Sequence, residues 1–210
     1  MRSVTKFAAA LLGVVLLVVA AVQPSQADEV ADAQAFVRTL ADKAISQLTS
    51  PAMSQGDREQ SFRKLLGDHF DILAIGRSAL GRYWRVATPE EQTEYMSLFE
   101  DLIVATYAQR FRDYGGENLD IIGASKSAGS EDSAVLVQSQ ISRNVAKPIR
   151  LDWRVAQASS DPKVVDLVIE GVSMMQTQRS EFTSVIVRNG NKVAGLISEL
   201  RAKTKALAPK

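Results

Sequence analysis

The sequence has no cysteine and only one histidine, His69, among its 210 residues. The lack of cysteine excludes disulfide bonds, thiolate nucleophiles and cysteine-ligated zinc. The single histidine excludes a metal site built from several imidazoles. We therefore predict no metal centre, and the chain must fold on its hydrophobic core alone.

Motifs for catalysis and cofactor binding are also scarce. The sequence has no P-loop and no Gly-x-Gly-x-x-Gly. Ser78 and Ser173 each follow a glycine by two residues, but the second glycine of a nucleophile elbow is missing at both. Asp68, His69 and Asp71 could form an acid–base group, yet a surface histidine beside a helix cap explains them more simply. We predict no catalytic residue, no cofactor and no enzymatic activity.

Charge is nearly balanced, with 25 lysines and arginines against 24 acidic residues and a formal net charge of +1. Nucleic-acid binding requires a basic patch or stripe, so we predict no nucleic-acid partner. Five arginines lie near the ends of two central helices. Most are expected to be solvated and a minority to face a partner or an anionic head group, because guanidinium pairs well with phosphate. The sequence does not choose among Arg77, Arg82, Arg85, Arg110 and Arg112.

The N-terminus has the pattern of a secretory signal peptide. Arg2 and Lys6 precede an apolar run over residues 7–22, and small residues at Ser25 and Ala27 mark a cleavage site. The run is shorter than the ~20 residues of a membrane-spanning helix. We expect residues 1–27 to be removed, leaving residues 28–210 as a single soluble, exported domain.

The first half of the chain predicts helices and the middle predicts strands. Apolar residues recur at helical spacing over 29–49 and 57–66 with Gly67 as a stop, and again from a cap at Asp71 to Gly81. The period then changes to two. Strands are predicted at 119–124, 134–142, 149–156 and 164–172, followed by helices at 177–187 and 193–207. This order is typical of an α+β fold, and the short connections favour antiparallel strands.

Two of the predicted strands have distinct faces. In 149–156, apolar residues alternate with Arg150, Asp152 and Arg154, which predicts one dry and one wet face. The run from Val164 to Ile169 is almost wholly apolar. We therefore expect it to be a central strand, covered on both sides.

A helix with an unusually wide apolar face follows residue 88. Thr88 and Glu91 form a capping box around Pro89, and the helix is predicted to run to about Tyr114 before a glycine pair. Its apolar residues spread over well more than the usual ~100° stripe. This helix should therefore be largely enclosed.

Aromatic and methionine side chains leave two interpretations open. Tyr83-Trp84, Trp153 and Met174-Met175 could fill the core, or they could edge an apolar cavity with their polar atoms turned to a wet rim. Spacing alone does not decide between the two.

Three runs carry a resemblance to a known family: FDILAIGRSALGRYWR followed by TPEEQ, LFEDLIVATYAQRF, and QTQRSEFTSVI followed by GLISELR. In this order and behind a signal peptide, the chain resembles the MlaC or toluene-tolerance (Ttg2) family of periplasmic phospholipid-binding proteins. The resemblance covers most of the mature chain.

The resemblance implies an NTF2-like α+β fold, in which a curved antiparallel sheet of about four strands packs against N-terminal and C-terminal helices with an apolar pocket between them. It implies a soluble carrier that moves phospholipid across the periplasm and maintains outer-membrane lipid asymmetry. The implied partners are an inner-membrane ABC transporter with an MCE-domain subunit and an outer-membrane lipoprotein–porin complex. No cofactor is implied, since phospholipid is the cargo.

From the apolar faces and this resemblance together, we predict the residues that contact lipid. Carriers of hopanoid-type lipids, an NTF2-like enzyme using the same pocket, and a structural adaptor with a filled core remain the alternatives. The predicted lining residues are Tyr83, Trp84, Leu98, Phe99, Leu102, Ile103, Tyr107, Leu151, Trp153, Leu167 and Ile169.

Overall fold

The computed structural model describes residues 26–127, 134–143, 146–156 and 161–207. Most of the predicted signal segment, residues 1–25, lies outside the described residues. The α-helices of the described chain are α1 (Gln26–Leu48), α2 (Gln55–His69), α3 (Ile72–Leu80), α4 (Pro89–Tyr107), α5 (Met174–Arg188) and α6 (Val193–Leu207). The strands are β1 (Asn118–Lys126), β2 (Ala134–Arg143), β3 (Ala146–Ala156), β4 (Lys163–Ile169) and β5 (Val172–Ser173).

The helix starts follow the capping residues in the sequence. The Asp71 carboxylate accepts from the Ala74 amide at 2.8 Å, at the start of α3. Thr88 and Glu91 form the predicted capping box of α4, in which each side chain accepts from the backbone of the other residue. These contacts satisfy amide groups that the first turn of a helix leaves without a partner.

Two predicted helix ends differ from the structure. Gly67 does not stop α2, which continues to His69, because the buried side chains before it outweigh the roughly 1 kcal/mol that a helical glycine costs. The α-helix predicted to reach about Tyr114 ends at Tyr107 and tightens into a 3₁₀ helix, Ala108–Phe111. Tightening of this kind is frequent at helix C-termini.

The sheet confirms the α+β class. Five antiparallel strands follow one another in the order β1-β2-β3-β4-β5, the fifth being only two residues long. As predicted, the run from Val164 to Ile169 forms an interior strand, since β4 pairs with β3 on one side and with the short β5 on the other. The prediction that this strand is covered on both faces is not confirmed, because its residues other than Val164 and Asp166 are only partly buried.

The sheet has one apolar face over β3 and β4. Antiparallel pairing places Leu151 opposite Ile169 and Trp153 opposite Leu167, so these four side chains lie on the same face. The other face of β3 was predicted to be exposed to solvent, and this is wrong at Asp152, which is only 6% exposed. Its carboxylate accepts from the Arg150 guanidinium at 3.1 Å, which offsets the cost of burial.

Helix α4 separates two hydrophobic clusters. The first cluster joins α1, α2 and the sheet, and includes Val104 of α4 and Ala108 of the 3₁₀ helix that follows it. The second cluster joins α3, α4, α5 and α6, and includes Phe99 and Leu102. Contacts on both sides of one helix account for its wide apolar face. None of the described helices has both the length and the apolar composition required to cross a bilayer.

Candidate functional site

A cavity of about 510 Å³ lies between the sheet and the helices, at the boundary of the two clusters. Its size falls within the ~300–1,000 Å³ typical of ligand sites. Most of the wall is aliphatic or aromatic. The apolar lining comprises Leu40, Ala41, Ala44, Phe62, Leu65, Leu66, Phe70, Ile72, Ile75, Phe99, Leu102, Ile103, Tyr107, Phe111, Leu151, Trp153, Leu167, Ile169, Met174 and Met175.

Helix α4 supplies one wall. Phe99, Leu102 and Ile103 line the cavity at helical spacing, and Tyr107 continues the wall one turn later. Phe99 and Leu102 are almost fully buried, whereas Tyr107 is 37% exposed. The wall therefore runs from the protein interior to the surface along one helix.

Strands β3 and β4 supply the facing wall with Leu151, Trp153, Leu167 and Ile169. The indole Nε1–H of Trp153 donates to Ser139 Oγ at 3.0 Å, on the neighbouring strand β2. The one polar atom of this ring is thereby satisfied within the sheet, and the ring can border an apolar space without an unpaired donor.

Helices α1 and α2 complete the enclosure, although none of the predicted lining residues lies on them. Leu40 and Ala44 of α1, and Phe62, Leu65 and Leu66 of α2, all reach the cavity. Their helical spacing predicts burial, but the same spacing describes a side chain that packs in a filled core. No feature of the sequence distinguishes the two cases here.

Polar and charged side chains mark the rim. The cavity boundary includes Arg110, Gln178, Glu181 and Lys203. The Arg110 guanidinium lies 5.5 Å from the centre of the Tyr107 ring. Arg110, Glu181 and Lys203 are exposed to solvent. The cavity thus combines an apolar interior with a charged opening.

One carboxylate also borders the cavity. Asp166 is 3% exposed and accepts from Ser173 Oγ at 2.6 Å, from the Met175 amide at 3.1 Å and from Arg154 at 3.5 Å. Its oxygens are occupied by the start of α5 and by one guanidinium, so it anchors structure rather than offering a free base. Asp166 was not predicted as a site residue, because the run around it is otherwise apolar and predicts a buried strand.

Eight of the eleven predicted lining residues surround the cavity: Phe99, Leu102, Ile103, Tyr107, Leu151, Trp153, Leu167 and Ile169. That they contact lipid stays a prediction.

Tyr83, Trp84 and Leu98 are not among the cavity's lining residues and pack in the second cluster instead. The Tyr83 hydroxyl accepts from Arg82 at 3.0 Å and donates to Asn191 at 3.3 Å, and the Trp84 ring meets Tyr95 edge-on at 6.4 Å. The aromatic character of Tyr83 and Trp84 suggested a cavity edge, but both lie in the short 3₁₀ turn after α3 and pack with the second cluster.

The candidate acid–base group is not assembled at the cavity. His69 lies edge-on to Phe36 at 5.9 Å, and partial burial, aided by the charge of Lys43, lowers its pKa. The Asp68 carboxylate pairs with Lys64 at 2.7 Å, which lowers the pKa of that carboxyl. Neither residue lines the cavity. Within the described residues, no cluster of three or more acidic, histidine or cysteine side chains is suited to hold a metal ion.

Fold and cavity together define an α+β protein whose sheet and helices can enclose an apolar molecule. Comparison with known families agrees with this class, since the sequence model of the MlaC protein family matches residues 38–202. The chain belongs to the MlaC family.

Individual relatives are distant in sequence. The chain is similar to the intermembrane phospholipid transport system binding protein MlaC of Haemophilus influenzae, with 27% identity over 117 residues that cover 55% of this chain and 54% of that protein. It is also similar to the toluene tolerance protein ttg2D of Pseudomonas putida, with 21% identity over 132 residues that cover 62% of this chain and 60% of the other. The chain therefore spans little more than half the length of the curated relatives it matches.

A solved structure extends the similarity to nearly the whole fold. The phospholipid-binding protein of Ralstonia solanacearum, determined in complex with a phospholipid, matches with a TM-score of 0.71 and 28% identity. The match covers 84% of this chain and 99% of that protein.

Proposed function

We propose that this protein is a non-enzymatic carrier that binds phospholipid acyl chains in the apolar cavity. The observation that carries the proposal is the cavity itself, whose walls come from both the sheet and the helices and whose interior is almost wholly apolar. The names of the Haemophilus and Ralstonia proteins, which refer to phospholipid, favour this ligand over other apolar molecules.

Burial of acyl chains supplies enough free energy for such a carrier without covalent chemistry. A chain of about 14 methylene groups gains roughly 11 kcal/mol when it leaves water, at ~0.8 kcal/mol per methylene. The ordering of the lipid and the protein offsets part of this gain. Transfer to another protein then costs little free energy if that protein offers a similar apolar surface.

The rim suits a phospholipid head group. Arg110 and Lys203 can pair with the phosphate, while Glu181 can pair with a cationic head-group amine. Tyr107, half in and half out of the cavity, lies at the boundary between chains and head group. This orientation leaves the polar end of the lipid in water.

We further propose that the mature domain, residues 28–210, works in the periplasm and needs no cofactor. It would exchange lipid with an inner-membrane ABC transporter carrying an MCE-domain subunit and with an outer-membrane lipoprotein–porin complex, and so maintain outer-membrane lipid asymmetry. The words "intermembrane" and "toluene tolerance" in the names of its relatives support this role.

The direct test is to purify the protein from its own periplasm and analyse organic extracts by mass spectrometry. We expect at most about one phospholipid per protein in the extract, with no enrichment of neutral lipid. If the extract contains a hopanoid instead, the cargo is a hopanoid-type lipid and not phospholipid. Protein that is folded but carries no lipid, and that takes up none from phospholipid vesicles, would contradict the carrier function.

A further inference from the structure

A second concave region lies on the other side of helices α3 and α5 from the cavity. Its volume is about 660 Å³. Ile72 and Ile75 of α3 line the cavity, whereas Arg77 and Ser78 of the same helix line this second region. We call it the arginine groove. Its lining residues are Arg77, Ser78, Gly81, Arg82, Trp84, Arg85, Arg179 and Thr183.

Three of the four arginines are held in place by neighbouring groups, including Arg82, which donates to the Tyr83 hydroxyl at 3.0 Å. The Arg77 guanidinium lies 5.2 Å from the centre of the Trp84 ring. Arg179 donates from Nε to the Ser78 carbonyl at 2.7 Å, which leaves its terminal amino groups free of that contact. Gly81, at φ +59°, lets this side chain approach, because a Cβ there would lie 3.3 Å from the Arg179 Nε. Guanidinium groups fixed in this way lose less entropy when they bind.

Direct ion pairs with the described carboxylates do not neutralise the arginines of the groove. None of the carboxylates of residues 26–127, 134–143, 146–156 or 161–207 forms an ion pair with Arg77, Arg82, Arg85 or Arg179. By contrast, Arg63, which lies on α2, contacts two carboxylates at 3.0 and 2.6 Å.

Hydroxyl donors in the groove are also available. Among the described contacts, the Ser78 and Thr183 side chains take part in no hydrogen bond, although both line the groove. The groove therefore offers several guanidinium groups and two hydroxyls around one concave space.

We propose that the arginine groove binds a phosphate-bearing anion. A phosphate group presents several acceptor oxygens and matches the planar fork of guanidinium, so it can use guanidinium and hydroxyl donors together. The phosphate can come from the head groups of an anionic membrane or from a soluble phosphate compound. Val86, next to Arg85 and 71% exposed, is an apolar contact that a membrane surface would use. This site is separate from the cavity and does not depend on what the cavity carries.

The test begins with titration of the purified protein with inorganic phosphate and pyrophosphate at low ionic strength, followed by NMR. We expect saturable shifts of the Trp84 indole N–H and the Arg179 Nε–H. The Trp153 indole, in the cavity wall, should stay unchanged and serves as an internal reference. The double variant Arg77→Gln/Arg85→Gln should bind about tenfold more weakly, since it removes two charged donors.

A matched variant separates a site from general attraction. Arg188→Gln/Arg201→Gln removes the same formal charge from α5 and α6, away from the groove, and should change the affinity by less than about twofold. Equal losses in the two double variants, or a titration of the natural protein that does not saturate, would overturn the proposal. So would equally tight binding of a polyglutamate peptide, because the groove would then fit an acidic protein surface.

Vesicles identify the source of the phosphate. Co-sedimentation with vesicles that contain phosphatidylglycerol, lost in the groove variant and competed by pyrophosphate, would identify membrane head groups. Pyrophosphate binding without sedimentation would identify a soluble compound, and either result supports the site. Lipid extracted from the groove variant reports on the cavity separately, so failure of the carrier function and failure of this proposal give different results.

Discussion

The sharpest test of the cavity replaces Leu167 with glutamine. Leu167 is a half-buried residue of β4 whose side chain lines the cavity on the wall that the sheet supplies. Glutamine has a similar size and no charge, so it changes polarity with little change in volume. The variant therefore separates the ability to hold an apolar ligand from the ability to fold.

The two expected effects differ in size. Full burial of a leucine contributes about 1.5–3 kcal/mol, so at this half-buried position we expect a loss of about 1 kcal/mol in the free energy of unfolding. An acyl chain packed against the new amide would leave it without a hydrogen-bond partner, at a cost of about 1–3 kcal/mol. Lipid affinity should therefore fall by about 5- to 150-fold.

Leu98→Gln is the matched control. Leu98 is also a half-buried leucine, but it packs in the second cluster and does not line the cavity. It should lose similar stability and keep its lipid affinity. Affinity is measured by displacement of a fluorescent acyl probe, and stability by urea unfolding of the same samples. If Leu167→Gln binds the probe normally while folded, or if both variants lose affinity equally, the assignment of this cavity is wrong.

Three further predictions concern stability. Asp166→Ala should lower the free energy of unfolding by about 2 kcal/mol, because it removes the buried hydrogen-bond partner of Arg154 and of the start of α5. Asp166→Asn should lose less stability, and urea unfolding of both variants measures the difference. Gly81→Ala should cost about 1–3 kcal/mol by the same measurement, since φ +59° strains a residue that has a Cβ, and an unchanged midpoint would show that the turn adapts. The folded state lowers the pKa of His69, so the unfolded chain binds protons more readily near pH 6. The contribution of His69 to the free energy of unfolding should be fully present above pH 6.5 and be lost as the pH falls through that value. Urea unfolding of His69→Gln at several pH values should show that this part of the pH dependence is abolished.

Local sequence chemistry predicted much of the fold. Capping residues such as Asp71 and Thr88 fixed helix starts because their side chains satisfy backbone groups within a few residues. Alternation in β3 predicted which side chains share the cavity face, since register preserves a period of two. Burial of Asp152 escaped prediction because it depends on an ion pair with Arg150 on the same strand.

The cavity was harder to predict than the core. The α1 and α2 walls, including Leu40 and Phe62, have the same apolar spacing as filled cores, and spacing contains no information about empty space. Trp84 and Leu98 were misplaced for a related reason: the apolar surface around α4 is wide enough to serve two clusters, and only the packing of α5 and α6 decides which side each residue joins.

The division of the apolar interior by α4 has a consequence for cooperativity. Ile72 and Ile103 are partly buried side chains that pack against both clusters, and the cavity occupies much of the remaining boundary. Asp166 ties only the start of α5 to β4, so without ligand α6 and the C-terminal part of α5 can open with little loss of contact to the sheet. Their amides should therefore exchange with deuterium through a lower-energy opening than those of β2 and β3. An acyl chain in the cavity would touch both halves and merge the two openings into one. Ligand uptake would then reduce the number of independently unfolding units from two to one in the hydrogen-exchange measurement, even if the backbone does not move.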